Sequence, residues 1–394
     1  MSGSRASAPN TTIAPAPNRS DRRARWAVAA IFALHGLAAG TWAARIPWIK
    51  ETRHLSSADL GMALMGAAVG GLTAMPLAAW LISRLGSRAL TRAGVLAMAV
   101  TLPIPAFSPG AATIFVALVL FGAAGGTLDV AMNAQGVVVQ ERYGRSIMSG
   151  LHGVWSLGGL TGAAVAGLAA RSGAAAPANL VAVGVVFAAA GTLSGVWLIP
   201  APPSAAGRVF ARPGRALLHL GVVTFCGLFA EAAANDWSAV YLRTAAHTAQ
   251  DVAAWGYAAF SFAMAAGRLT GDRLVERVGP ARLVRAAALV GAGGLALGLL
   301  VPVTAVIVVA FALLGLGVAT VVPLTFSAAG RVPGRDPGTA VAAVATVGYG
   351  GWMLAPPVIG FVAQGTSLTF SLALVAVMSA LIAVPAGALR PGRT

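Results

Sequence analysis

The chain has 394 residues, of which 58% are hydrophobic and 10% charged, against about 25% charged in an ordinary soluble domain. A water-solvated globule is excluded. The net charge of +16 comes from 27 Lys and Arg against 11 Asp and Glu, but the basic residues are spread over the gaps between apolar runs rather than gathered on one domain, which excludes a nucleic-acid-binding module.

The first 25 residues are rich in Pro, Ser, Ala and Arg, cannot bury a core, and read as a disordered cytoplasmic tail (residues 1–25). A secretory signal is the rival reading, but the apolar stretch that follows is longer than a signal core. A bilayer core is about 30 Å thick and needs roughly 20 apolar residues per helix. Six runs of that kind extend from Trp26 to Trp48, Ala58 to Ser83, Ala89 to Phe107, Ala111 to Gln140, Ile147 to Ala170 and Pro177 to Ile199. The polar segment Pro200 to Arg215 follows. Six more runs extend from Ala216 to Leu242, Val252 to Glu276, Pro280 to Val301, Thr304 to Ala328, Thr339 to Gln364 and Leu368 to Leu389. The pattern predicts an all-α membrane protein of twelve transmembrane helices, divided into a six-helix bundle over 26–199, a cytoplasmic linker over 200–215 and a second bundle over 216–394.

Orientation follows from the basic residues, which collect on the cytoplasmic side during insertion. Only Arg45, Lys50, Arg53, Arg171 and Arg243 fall on one side of the alternation; the other 22 of 27 fall on the side of the N-terminus, with Arg268, Arg273, Arg277, Arg282 and Arg285 counted together in one gap. Both termini are therefore expected in the cytoplasm (N-in/C-in). One lysine beside 26 arginines, with abundant Ala and Gly, points to a GC-rich bacterial genome and so to a bacterial cytoplasmic (plasma) membrane. The single cysteine, Cys226, lies inside an apolar run with no partner for an internal disulfide.

The halves repeat one another. Residues 81–93 (LISRLGSRALTRA) lie over 274–286 (LVERVGPARLVRA) without a gap, both between the second and third run of their half. Internal duplication with a midplane site between pseudo-symmetric halves is an architecture of secondary transporters. Twelve helices as six plus six, the central loop and the repeated Arg-x-Gly turn together resemble the major facilitator superfamily over about Arg25 to Arg390. The family's loop signature, Gly-x-Leu-x-Asp-Arg-x-Gly-Arg, is matched in the second half by Leu274, Glu276, Arg277 and Gly279, with Asp272 where the first glycine stands. In the first half Leu81, Arg84 and Gly86 match, while Ala79 and Ser83 replace the glycine and the acid. The resemblance implies that Arg84, Gly86, Asp272, Glu276, Arg277 and Gly279 form a cytoplasmic gate motif. The segments LDVAMNAQ (128–135), SGLHGVWSLGG (149–159) and NDWSAVYLR (235–243) resemble the bacterial branch related to fucose permease and the rhizopine-associated membrane permeases.

A charge at the bilayer centre costs about 2.5–3.5 kcal/mol, so intramembrane acids are informative. Three qualify: Asp129, Glu231 and Asp236. Asp129 lies 12 residues from Glu141, about 18 Å along a helix, on a stripe with Gly122, Gly126, Asn133, Gly136 and Gln140. That stripe reads either as helix packing through glycines or as a coupling or substrate surface. Glu231 lies equally deep and shares a face with Thr224, Gly227, Asn235 and Ser238. Desolvation disfavours the charged form of a carboxyl group, which makes proton exchange chemically available. Asp129 and Glu231 are the expected coupling acids, with His35 and His152 as further proton-relay candidates; a buried histidine that only bonds a carbonyl is the commoner arrangement. Asn133 and Asn235 are expected to contact solute. Asp236 reads either as a solute contact or as an ion pair with Arg45 or Arg243. Trp42, Trp155, Tyr349, Trp237 and Trp352 offer ring-stacking surfaces, whereas Trp26, Trp48 and Trp80 fit interfacial anchors. Pro323 and the pair Pro356 and Pro357 mark breaks or bends. In the resembled family the first, fourth, seventh and tenth helices surround the cavity.

No His/Cys/Asp/Glu spacing suits a metal, no phosphate-binding loop appears, and no nucleophile, base and oxyanion set is present. An enzyme, a cofactor and ATP-driven pumping are not expected. The reading is a monomeric secondary transporter moving a small polar solute, sugar or sugar-like, by alternating access coupled to protons. The rivals are a proton-driven exporter of metabolites or drugs and, less favoured for want of a soluble output domain, a non-transporting sensor.

Overall fold

Asn18 opens the first helix. Its side chain accepts from the Asp21 backbone N–H while the Asp21 carboxylate accepts from the Asn18 N–H, a reciprocal cap that satisfies two donors at the helix start. The helix therefore begins at Arg19, seven residues before Trp26, and the end of the expected tail is helical. The computed structural model describes residues 18–143, 147–200, 215–333 and 337–389. The remainder of the tail (1–17) and the linker residues 201–214 lie outside these, as does the side chain of Asp272.

Fourteen helices follow in order among the described residues: α1 (Arg19–Thr52), α2 (Ser57–Leu85), α3 (Ser87–Thr101), α4 (Ile104–Phe107), α5 (Ala111–Tyr143), α6 (Met148–Arg171) and α7 (Ala176–Gly195), then α8 (Arg215–Ala245), α9 (Gln250–Val278), α10 (Pro280–Leu300), α11 (Thr304–Val318), α12 (Val321–Ala329), α13 (Pro337–Gly365) and α14 (Leu368–Leu381). Two apolar runs are each split in two by proline, which cannot donate to the carbonyl four residues back and whose ring clashes with it. Pro103 and Pro105 separate α3 from α4, and Pro323 separates α11 from α12 at Ala319 and Thr320. Pro356 and Pro357, in contrast, sit inside an unbroken α13 and leave the carbonyls of Trp352 and Met353 without their helical donors. Among the described residues ten segments are long and apolar enough to cross a membrane; the two expected runs outside that set are α9, with Arg268 in its interior, and the shorter α14.

The helices are apolar on the outside. Leu300, Val384, Leu168 and Val100 are each more than 60% exposed, while Gln135, Thr224, Ser238 and Thr325 are fully buried. This inverts a water-soluble protein, as hydrocarbon solvent requires, since apolar side chains face lipid at no cost and polar groups must find partners inside.

Three helix pairings occur twice in chain order: α1 with α6 and α8 with α13; α2 with α5 and α9 with α11; α3 with α7 and α10 with α14. Two further contacts, α2 with α13 and α6 with α9, join these groups. Close approach rests on missing side chains. A Cβ at Gly36 or Gly40 would run into the carbonyl oxygens of Trp155 and Gly159, so α1 and α6 meet backbone to backbone. The repeated sequence segments adopt one geometry. Gly86 ends α2 at φ 78°, ψ 155° and Gly279 ends α9 at φ 80°, ψ 154°, each N–H donating back to Ile82 O or Val275 O. Only glycine adopts that conformation without strain, which is why glycine holds its place in both copies.

Candidate functional site

The mid-helix polar residues converge on a central cavity of about 380 Å³, bounded by α1, α2, α5, α6, α8, α9 and α13, with Met98 of α3. Of the sequence-derived candidates, His35, Trp42, Asp129, His152, Trp155, Glu231, Asn235, Asp236 and Tyr349 line it, as does Trp352. Trp237 does not line it and is fully buried. The ring of lining helices is broader than the first, fourth, seventh and tenth runs. The tenth, as α12, instead lines a second cavity of about 370 Å³ through Thr320, Val322, Pro323, Leu324 and Phe326. His152 and Arg268 belong to the walls of both cavities. The second cavity reaches the helix ends at Met148 and Val275, the end of the bundle that carries the Gly86 and Gly279 turns.

Glu231 is ion-paired. Arg268 Nη2 donates to Glu231 Oε1 at 3.4 Å, with the side chains 21% and 9% exposed. This corrects the placement of Arg268 in a cytoplasmic gap: it lies inside α9, about 15 Å from the helix end at Val278. The reason it is tolerated there is the carboxylate opposite, since a buried charge needs a partner. A face of α9 carries Tyr257, Ser261 and Arg268 at steps of four and seven. That spacing was a readable signal for both Tyr257 and Arg268, and charge counting alone concealed it.

Asp129 is held by its own helix. Asn133 Nδ2 donates to Asp129 O at 2.8 Å and to Oδ1 at 3.2 Å, and Asn133 is not among the cavity's lining residues. The asparagine thus orients the acid. The rest of the stripe divides. Gly122 and Gly126 allow α2 to approach at Ala67 and Gly71, Gly136 faces Met148 and Leu151, and Gln140 Oε1 accepts from Ile147 N–H at 2.9 Å, capping α6. Packing and cavity lining therefore coexist on one helix face.

His35 has a defined proton. Trp155 Nε1 donates to His35 Nδ1 at 2.7 Å, and indole is a donor only, so Nδ1 is the acceptor nitrogen and the proton resides on Nε2, turned toward the backbone of Gly125. Taking up a second proton would require breaking the indole bond. His152 packs edge-on against Phe32, ring centroids 5.4 Å apart, and lies in the electrostatic reach of both Asp129 and Arg268.

Asp236 pairs with neither expected arginine. Arg45 is 1% exposed and its Nε donates to Asn179 Oδ1 at 3.0 Å, joining α1 to α7. Arg243 Nε lies 2.6 Å from Glu51 Oε1 and donates from Nη1 to Thr248 O at 2.5 Å. The Glu51–Arg243 bridge ties α1 to α8 at the end of the bundle opposite the Gly86 and Gly279 turns. Asp236 and its neighbour Asn235 line the cavity with no hydrogen bond or ion pair among the described residues.

In the loop motif, Arg84 stacks on Trp80 of its own helix, 5.7 Å from the ring. Glu276 and Arg277 are exposed and make no ion pair among the described residues. No cluster of three His, Cys, Asp or Glu suited to a metal occurs among the described residues.

Comparison with known proteins places these observations in a family. Residues 220–393 match the model of the Major Facilitator Superfamily. The chain is 34% identical over 361 residues to an uncharacterized MFS-type transporter of Yersinia pestis, covering 91% of this chain and 93% of that one. It is 31% identical to the membrane protein MosC of Rhizobium meliloti, covering 91% and 88%. Among solved structures, the nucleoside transporter NupG superposes with a TM-score of 0.72 at 14% identity, covering 94% of this chain and 99% of that one. A bacterial homolog of the human lysosomal transporter Spinster, inward-facing and occupied, gives 0.76 at 14% identity, covering 94% and 97%. By family model, by relatives along nearly its whole length and by fold, the chain belongs to the major facilitator superfamily.

Proposed function

We propose that the protein is a secondary active transporter that moves a small polar solute, sugar or sugar-like, across the bacterial cytoplasmic membrane by alternating access coupled to protons. The observation that carries this reading is the central cavity. Its volume lies in the range of small-molecule sites, and its walls combine aromatic faces with three carboxyl groups at membrane depth, where ionisable residues mark solute and proton paths. Trp42, Trp155, Tyr349 and Trp352 supply ring surfaces, and Asn235 supplies a donor and an acceptor for hydroxyl groups.

In this reading the two six-helix bundles, 26–199 and 216–394, rock about the cavity, with both termini cytoplasmic and one chain as the working unit. The cavity adjoins a second one at the end bearing the Gly86 and Gly279 turns, while the Glu51–Arg243 bridge lies at the other end. With the N-terminus inside, this arrangement corresponds to an inward-facing state. Asp129 carries the exchangeable proton, since its carboxylate has only a neutral amide as hydrogen-bond partner. Glu231 contributes through its pair with Arg268.

The test is uptake by proteoliposomes of a labelled panel of sugars, polyols and sugar acids, with and without an inward proton gradient. Gradient-stimulated uptake should be lost in Asp129→Asn while counterflow, which needs no net proton movement, survives. Uptake unchanged on collapse of the gradient would refute proton coupling.

A further inference from the structure

The central cavity has three carboxyl groups on its walls, and the protein itself answers two of them. Glu231 has Arg268 at 3.4 Å. Asp129 accepts from Asn133 and has His152 in electrostatic reach. Asp236 has no such partner among the described residues, although it sits about 7.5 Å further along α8 than Glu231. The two arginines expected as its partners lie elsewhere: Arg45 donates from Nε to Asn179, with its Nη2 buried and unpartnered among the described residues, and Arg243 pairs with Glu51. Lys50 donates to the Leu55 carbonyl at the same end, outside the central cavity.

A carboxylate facing a low-dielectric wall needs an opposite charge and hydrogen-bond donors to stay ionised. A hydroxyl supplies a donor without the charge. An anionic solute would meet repulsion from Asp236. A solute ammonium supplies both charge and donors, and the groups around Asp236 suit one. Asn235 adjoins it with an amide oxygen free to accept a second N–H, and the buried Tyr257 lies in its electrostatic reach.

We propose that Asp236 is the counter-ion for a solute ammonium, so that the transported solute is a small amine whose cationic nitrogen rests on Asp236 and Asn235 and whose body lies against the aromatic walls at Trp42 and Trp352. This inference rests on the reading of the cavity as the transport site. It narrows the solute from polar to cationic and assigns to Asp236 a role separate from the coupling acids.

The experiment compares matched amine and alcohol probes, glucosamine with glucose and 2-phenylethylamine with 2-phenylethanol, by ligand-induced thermal stabilisation of the purified full-length protein, since a ligand that binds only the folded state raises its melting temperature by mass action. In at least one pair the amine should bind about 30-fold or more tightly than its alcohol, the discrimination expected for a desolvated charge pair. Asp236→Asn should abolish that preference, and Asp236→Glu should retain it. Equal affinities in both pairs, no amine binding, or a preference that survives Asp236→Asn would each overturn the proposal. Should Asp236→Asn not give a monodisperse preparation, the wild-type pairs and Asp236→Glu still decide it. Counterflow in proteoliposomes separates the two levels: amine-selective binding without counterflow refutes transport and keeps the site, whereas counterflow of neutral solutes without amine preference refutes the site and keeps transport.

Discussion

Replacing Glu231 with Gln and Arg268 with Met, singly and together, tests whether this ion pair is an energetic unit. At 3.4 Å and an effective dielectric constant of about 20, the direct attraction is about 5 kcal/mol. Desolvation of both groups opposes it, and the cavity still screens the pair, because the Arg268 side chain is 21% exposed. A net coupling of about 1–3 kcal/mol is the expected remainder. Each single substitution strands a charge or a buried polar group and should destabilise the protein by about 2–4 kcal/mol. The double variant, with neither charge present, should be less destabilised than the sum of the two singles by that coupling of about 1–3 kcal/mol. The assay is a double-mutant cycle on unfolding free energies from denaturant titration in mixed micelles. Effects that add to within about 0.5 kcal/mol would refute the pair as a coupled element, leaving Arg268 held by cavity water alone.

The remaining predictions concern the two ends of the bundle. The Glu51–Arg243 bridge is half-exposed, so Arg243→Ala should change stability by less than about 1 kcal/mol. It should nevertheless speed labelling of Asn235→Cys by an impermeant maleimide applied from the bridged end, in a Cys226→Ala background, and the charge swap Glu51→Arg with Arg243→Glu should restore slow labelling. An unchanged labelling rate would remove the bridge as a closure. At the other end, Gly86→Ala and Gly279→Ala place a side chain at positive φ and should each cost about 1–2 kcal/mol. Unfolding measurements that find one costly and the other silent would break the equivalence of the two turns.

Much of the molecule is legible in the amino-acid sequence. Hydrocarbon solvent forces long apolar runs and internally bonded helices, so the runs and their order follow from composition alone, and the depth of Asp129 and Glu231 follows from 1.5 Å per residue. Breaks at Pro323 and the shared turn at Gly86 and Gly279 follow from local sterics, which need no tertiary partner. The start of α1 at Arg19 was also local. Asn18 and Asp21 form a cap whose spacing stands in the sequence, hidden only by the polar character of the tail.

Partner choice was not legible, because it is a property of separate helices brought side by side. Arg268 counted as a loop charge in one dimension and became the counter-charge of Glu231 in three. Arg45 and Arg243, the natural partners for Asp236 by sequence position, found Asn179 and Glu51 instead. Asn133 donates back to Asp129 on its own helix, and Trp155 donates to His35 from a helix 120 residues away. A helical sequence specifies which side chains share a face, since 3.6 residues per turn is a fixed period. Which face meets which neighbour depends on the rotation and crossing of packed helices, and these are set where glycines such as Gly36 and Gly40 let backbones touch, a condition that only the assembled structure satisfies.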